Sequence, residues 1–140
     1  MAAEILNHVD AWFVAEVYRP LEREEARPAV ARMWKSVDEY FRSGRRVCLM
    51  GAFAIDETRD RLAASIRRYF ERWIEALDSA LVRSGIDPAL SSELAEDVVV
   101  GIQGALTLAR AFNDQRIFAR TLQRLEARIE KNFPRASAAV

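Results

Sequence analysis

Between Val98 and Ala109 the chain reads VVVGIQGALTLA, twelve residues without a charge, in a protein of which 30% of residues are charged. An uncharged helix of that length has no face suited to water, so it must be buried on every side. A bilayer is not what buries it, because a membrane-spanning helix needs about 20 apolar residues. The apolar surroundings are therefore protein, and 140 residues enclose such a helix only with difficulty. A second subunit is the expected way to complete the burial.

The same stretch carries Gly101 and Gly104, and each glycine inside a helix costs about 1 kcal/mol relative to alanine. Close approach of another helix is the natural compensation. Gly101, Gly104, Ala105, Leu108 and Phe112 read as one face, and Val98, Ile102, Leu106 and Ala109 as the opposite, equally apolar one. One face is expected to serve the domain's own core and the other a dimer seam. The competing reading is tight packing within one protomer.

The remaining segments predict an all-α fold of about six helices in a bundle. Ile5, Leu6, Val9, Trp12, Phe13 and Val17 recur at helical spacing and predict a first helix ending near Arg19-Pro20. Pro28 is expected to open a second helix, with Val30, Met33, Trp34, Val37 and Phe41 on one side, closed by Gly44 as a left-handed cap. Val47 to Ile55 is a short apolar segment read as helix, and a charged turn at Asp56 to Asp60 follows. The longest helix carries Leu62, Ile66, Phe70, Trp73, Ile74, Leu77 and Leu81 and stops at Gly85. Asp87-Pro88 caps the helix that runs through the uncharged stretch to Phe112, and Asn113-Asp114 makes the next turn. The last helix, Gln115 to Asn132, shows Phe118, Leu122, Leu125 and Ile129 on one face before Pro134. The expected organisation is one domain, 1–140: a linking helix over 1–20, cavity helices over 28–85, dimerisation helices over 87–133 and a tail over 134–140.

Several chemistries are excluded. Equal numbers of basic and acidic residues, 21 each, are the wrong balance for gripping nucleic acid by its phosphates. One cysteine and one histidine supply neither a disulfide nor a zinc site. His8 and Cys48 are not arranged as a catalytic dyad, so no enzyme, no metal and no cofactor is expected. The arginines at 116, 120, 124 and 128 form a stripe read as a solvated or interface-flanking edge, and Arg67, Arg68 and Arg72 are read likewise. Glu4 and Asp10 stand where a secretion signal carries basic residues, so the expected location is the cytoplasm, with no membrane partner.

Aromatic and methionine positions on several helices suggest a ligand cavity: Trp34, Phe41, Met50, Phe53, Phe70 and Trp73. Gln103 and Thr107, four residues apart in the uncharged helix, are the expected hydrogen-bonding anchors.

The order CLMGAF (Cys48 to Phe53), RLAASIRRYFERWIEALDSALVRSG (Arg61 to Gly85), LAEDVVVGIQGALTLARAFND (Leu94 to Asp114) and a final amphipathic helix resembles the C-terminal domain of TetR/AcrR-family transcriptional regulators. Within that family it resembles the subgroup with a G-C-x-x-G element, of which Cys48 and Gly51 match while Val47 replaces the first glycine. The resemblance implies a homodimer whose last two helices pair with their symmetry mates in a four-helix bundle. It also implies a cavity in each subunit whose ligand controls DNA affinity. By position, the dimer elements are the helix bearing Gly101, Gly104, Ala105, Leu108 and Phe112 and the helix bearing Phe118, Leu122, Leu125 and Ile129. The cavity walls are the helices bearing Trp34, Phe41, Met50, Phe53, Phe70, Trp73, Gln103 and Thr107. These regulators read operator DNA through an N-terminal helix-turn-helix, which these 140 residues do not supply, so a regulatory-domain fragment is expected.

The expected function is therefore effector binding and homodimerisation in a one-component regulator, a repressor responding to an apolar or aromatic small molecule. The alternative is a stand-alone helical protein that heterodimerises with full-length relatives and blocks their DNA binding.

Overall fold

The computed structural model describes residues 2–42, 44, 46, 48–54 and 59–135. They form α1 (Ala2–Phe13), a π turn (Val14–Tyr18), α2 (Arg19–Arg23), α3 (Ala26–Tyr40), α4 (Leu49–Ala54), α5 (Arg59–Arg83), α6 (Pro88–Ala111) and α7 (Arg116–Asn132). Because α1, the π turn and α2 run on without a break, there are six rods, and no strand occurs among the described residues. The fold is all-α, as the sequence predicts. The turn expected at Asp56 to Asp60 lies largely outside the described residues.

Three boundaries differ from the sequence expectation. Helix α3 opens at Ala26, so Pro28 sits inside its first turn and does not begin it, as a proline can because the first-turn N–H groups have no partner within the helix. The first rod does not stop at Arg19-Pro20 but continues to Arg23. The Arg19 N–H bonds back to the Val14 carbonyl, five residues earlier, and Pro20 falls in the first turn of α2, where a missing N–H is tolerated. At the end of α3 the left-handed position is taken first by Arg42, at φ 49°, with Gly44 at φ 91° two residues later. Gly44 has a second duty: a Cβ there would meet the Phe118 Cβ at 2.6 Å, so the loop after α3 lies directly on α7.

The long helix α5 is the axis of the domain, touched by α1, the π turn, α2, α3, α4 and α6. Its inner side carries Ile66, Tyr69, Trp73, Ala76, Leu77, Ala80 and Leu81, all buried. Phe13, fully buried, is the hub of the aromatic core. Its ring lies 5.0 Å from Tyr69 and 5.1 Å from Trp73 on α5, and 5.1 Å from Tyr40 and 6.2 Å from Phe41 at the end of α3. These centroid separations are the edge-on and tilted packings that aromatic quadrupoles favour. The Tyr18 hydroxyl donates to the Tyr69 carbonyl at 3.1 Å, tying the π turn to α5.

The helices α6 and α7 form an outer layer, with α6 seated on α5 and α7 on α6. The Asp87 carboxylate caps α6 by accepting from the Ala89 N–H at 3.2 Å. The buried Ser91 hydroxyl donates to the Asp78 carboxylate at 2.5 Å, fastening the start of α6 to α5. Leu94, Val98, Ile102, Ala105, Leu106 and Ala109 face inward and are buried. On α7 the buried residues are Phe118, Leu122 and Ile129.

Candidate functional site

The two glycines of α6 face different surroundings. A Cβ on Gly101 would lie 2.9 Å from the Leu125 Cδ1, so this glycine serves the contact between α6 and α7 inside the protomer. A Cβ on Gly104 would meet nothing within 4 Å. Gly101 and Gly104 therefore do not share one packing face, and Ala105 belongs to the interior at 4% exposure.

The open side of α6 is made instead by Val100, Gly104, Thr107, Leu108 and Ala111, with Phe112 at its end. Val100 is 63% exposed, Leu108 47% and Phe112 66%, which makes an apolar strip on the one open side of the uncharged stretch. The uncharged stretch is thus buried on its inner sides and bare on one. Of the residues expected at a dimer seam, Gly104, Leu108 and Phe112 are open to a partner. Phe118, Leu122, Ile129 and Ala105 are covered within the protomer, and Leu125 is half-buried against Gly101.

Beside that strip lies a groove of about 790 Å³ between α4, α5 and the second half of α6. Its walls include Cys48, Gly51 and Ala54 on the α4 side, Phe70 on α5, and Gln103, Leu106, Thr107 and Leu108 on α6. Gly51 lets α4 come close, since a Cβ there would collide with the Gln103 amide oxygen. The groove and the open strip share Gly104, Thr107, Leu108 and Ala111. Of the residues expected to line a cavity, Phe70, Gln103 and Thr107 are in this wall, and Phe53 is half-buried on the adjoining α4. Met50, also on α4, is buried in the core, as are Trp34, Phe41 and Trp73. Phe41 packs between Phe13 and Phe118 at centroid distances of 6.2 and 6.3 Å, which leaves its ring no free face toward the groove.

Among the described residues, the inner end of the groove is polar but uncharged. The Gly51 N–H donates to the Cys48 sulfur at 3.4 Å. Burial pushes the Cys48 thiol above its ordinary value, against the opposing pull of that N–H and of the Gln103 amide beside it. The Tyr69 hydroxyl also lies beside Cys48, and burial raises its pKa well above the ordinary phenol value. Tyr69 was not among the sequence candidates, although a hydroxyl-bearing residue one turn before Trp73 on an apolar stripe is a legible signal. Three buried side-chain atoms have no hydrogen-bond partner among the described residues: Tyr69 Oη, Trp73 Nε1 and Gln103 Nε2.

The family model described as transcriptional regulator LmrA/YxaF-like, C-terminal domain, a TetR-type model, matches residues 23–124. The chain belongs to this family. The part matched to the LmrA/YxaF-like domain runs from the end of α2 into α7 and contains both the groove and the open strip of α6. No curated protein and no solved structure matches the chain.

Other features of this LmrA/YxaF-like domain are surface chemistry. Arg116 bonds Asp114 at 3.0 Å, Arg128 bonds Asp97 at 2.7 Å across to α6, and Arg72 bonds Glu22 at 3.0 Å. His8 is exposed in a second groove, of about 470 Å³, lined also by Ile5, Trp12, Tyr40 and Arg46. Among the described residues no cluster of three or more His, Cys, Asp or Glu is placed to hold a metal ion, and no helix is long and apolar enough to cross a membrane.

Proposed function

We propose that this chain is the effector-binding and homodimerisation domain of a TetR-type one-component transcriptional regulator, a cytoplasmic repressor whose ligand is a small, largely apolar or aromatic molecule. The observation that carries this reading is the adjacency of groove and strip. Gly104, Thr107, Leu108 and Ala111 border both, so whatever fills the groove presses on the same helix that a second copy would cover. A ligand that binds one arrangement of α6 better than another shifts the dimer's geometry by that difference in affinity. Operator DNA is then read by a helix-turn-helix outside these residues.

A second copy suits the strip because the strip is self-complementary. The exposed Glu93 and Glu96 lie toward one end of α6 and the exposed Arg110 at the other, whereas Asp97 and Arg116 are already paired within the protomer. A twofold axis near Gly104 brings the acidic end of one copy onto the basic end of the other, with Val100 and Leu108 between them. Burying these side chains removes apolar surface that a monomer leaves in water, at about 25 cal/mol per Å².

Sedimentation velocity over a concentration series, with Gly104→Glu as the variant, tests the reading. The unsubstituted chain should sediment as a dimer. Gly104→Glu should sediment as a monomer with unchanged helix content, because the new side chain has open space in the protomer. A dimer that persists in the variant would refute the seam.

A further inference from the structure

We infer that the inner end of the α4–α6 groove is built to receive a neutral oxygen acceptor, such as a ketone or amide carbonyl, carried by an otherwise apolar ligand. The inference rests on the effector-binding reading and specifies the ligand's chemistry. Gln103 lines the groove, yet its amide nitrogen is buried and finds no acceptor among the described residues. The Tyr69 hydroxyl, on a fully buried residue that does not itself line the groove, also has no partner but the weakly accepting Cys48 sulfur beside it, and that sulfur is in the groove wall. Buried donors are rarely left without acceptors, and those that remain mark strain, an internal water or a binding site. Two such donors flanking the one thiol in the wall of a groove of about 790 Å³ favour the last.

The acceptor should be uncharged. The groups that bear most on Cys48 and Tyr69 are Gly51, Gln103, Met50 and the phenols of Tyr18 and Tyr40, all neutral. The one charged residue in the described wall, Arg110, is exposed. A carboxylate at the inner end would lose its hydration without gaining a counter-ion from the described side chains, whereas a carbonyl gains the donors already present. The rest of the wall, including Phe70, Leu106 and Leu108, takes an aromatic body.

A matched set of ligands decides this: 2-acetylnaphthalene, its hydrocarbon isostere 2-isopropenylnaphthalene, and 2-naphthoate, titrated against the whole chain by tryptophan fluorescence and calorimetry. The ratio of ketone to hydrocarbon affinity cancels most of the difference in body contacts. It should fall about tenfold in Gln103→Leu and fall also in Tyr69→Phe, with 2-naphthoate weaker than the ketone throughout. Because the described group beside both donors is the Cys48 sulfur, a weak acceptor, both variants should stay close to the unsubstituted melting temperature without ligand, which separates lost recognition from lost folding. A ratio unchanged in both variants would assign the donors to internal water and overturn the inference while leaving effector binding intact. Tighter binding of 2-naphthoate than of the ketone would overturn the neutral assignment. Failure of all three compounds to bind would overturn the inference and the effector-binding reading together.

Discussion

Replacing Gly104 by alanine should strengthen the protomer and weaken the dimer, and the two effects are separable. In the protomer the new methyl meets nothing within 4 Å, so the whole helix-propensity gain of about 1 kcal/mol is realised. At about 2.1 cal/mol/K of unfolding entropy per residue, 140 residues turn that gain into a rise of about 3 °C in melting temperature. In a twofold pairing on α6 the same methyl is inserted twice at the crossing, and overpacking costs about 1–3 kcal/mol for each. The dissociation constant should therefore rise at least about thirtyfold. Gly101→Ala is the internal control. Its methyl meets Leu125 Cδ1 at 2.9 Å and Cδ2 at 3.2 Å, so the propensity gain is offset by repacking of that side chain, and dimerisation should hardly change. Sedimentation velocity gives the dissociation constants, and urea melts below those concentrations give the protomer stabilities. An unchanged constant in Gly104→Ala would refute a seam centred on this residue, and a less stable protomer would refute the open space around it.

Two further outcomes follow from the core. Phe13→Ala removes the ring about which the aromatic cluster is arranged and should cost about 3–5 kcal/mol, read as a drop in urea midpoint; a loss below 1 kcal/mol would mean that the cluster closes over the gap. Cys48 and the tyrosines at 18, 40 and 69 all hold their protons above the ordinary values of 9.0 and 10.0, chiefly through burial. The unfolded chain therefore releases protons first, so stability is intact below those values and declines as the pH climbs past them. Phenolate absorbance should appear mainly with cooperative alkaline unfolding, and more than one tyrosine ionising near pH 10 with helix content intact would contradict it.

The long amphipathic helices were legible because apolar spacing and punctuation agree. Asp87-Pro88 opens α6 and Gly85 closes the segment before it, as the residues indicate. The phase of α6 was not legible. A stretch apolar all round gives no hydrophobic direction, so nothing in VVVGIQGALTLA tells that Gly101 turns to Leu125 and Gly104 to solvent. The aromatic residues show a similar limit. Spacing places Trp34, Phe41, Trp73 and Phe70 on inward faces, but only the three-dimensional packing separates the buried Trp34 and the rings of Phe41 and Trp73 packed around Phe13 from the one beside the groove. Gln103 and Thr107 were legible as the polar exceptions in an apolar run, whereas the unsatisfied state of Gln103 depends on neighbours from α4 and α5.

The π turn sets an angle as well as a path. At 100° per residue, an uninterrupted α-helix would aim Tyr18 about 120° away from Leu6, off the side that Leu6, Val9 and Phe13 bury. The surplus residue taken up between Val14 and Tyr18 turns the tyrosine back toward α5, where its hydroxyl finds the Tyr69 carbonyl. The first rod is thus two half-helices keyed at a fixed twist, one registered by Phe13 and the other by Tyr18. Gaining or losing a single residue between them is an error of orientation more than of length. It would rotate Leu6 and Val9 out of the core while the chain remained helical throughout.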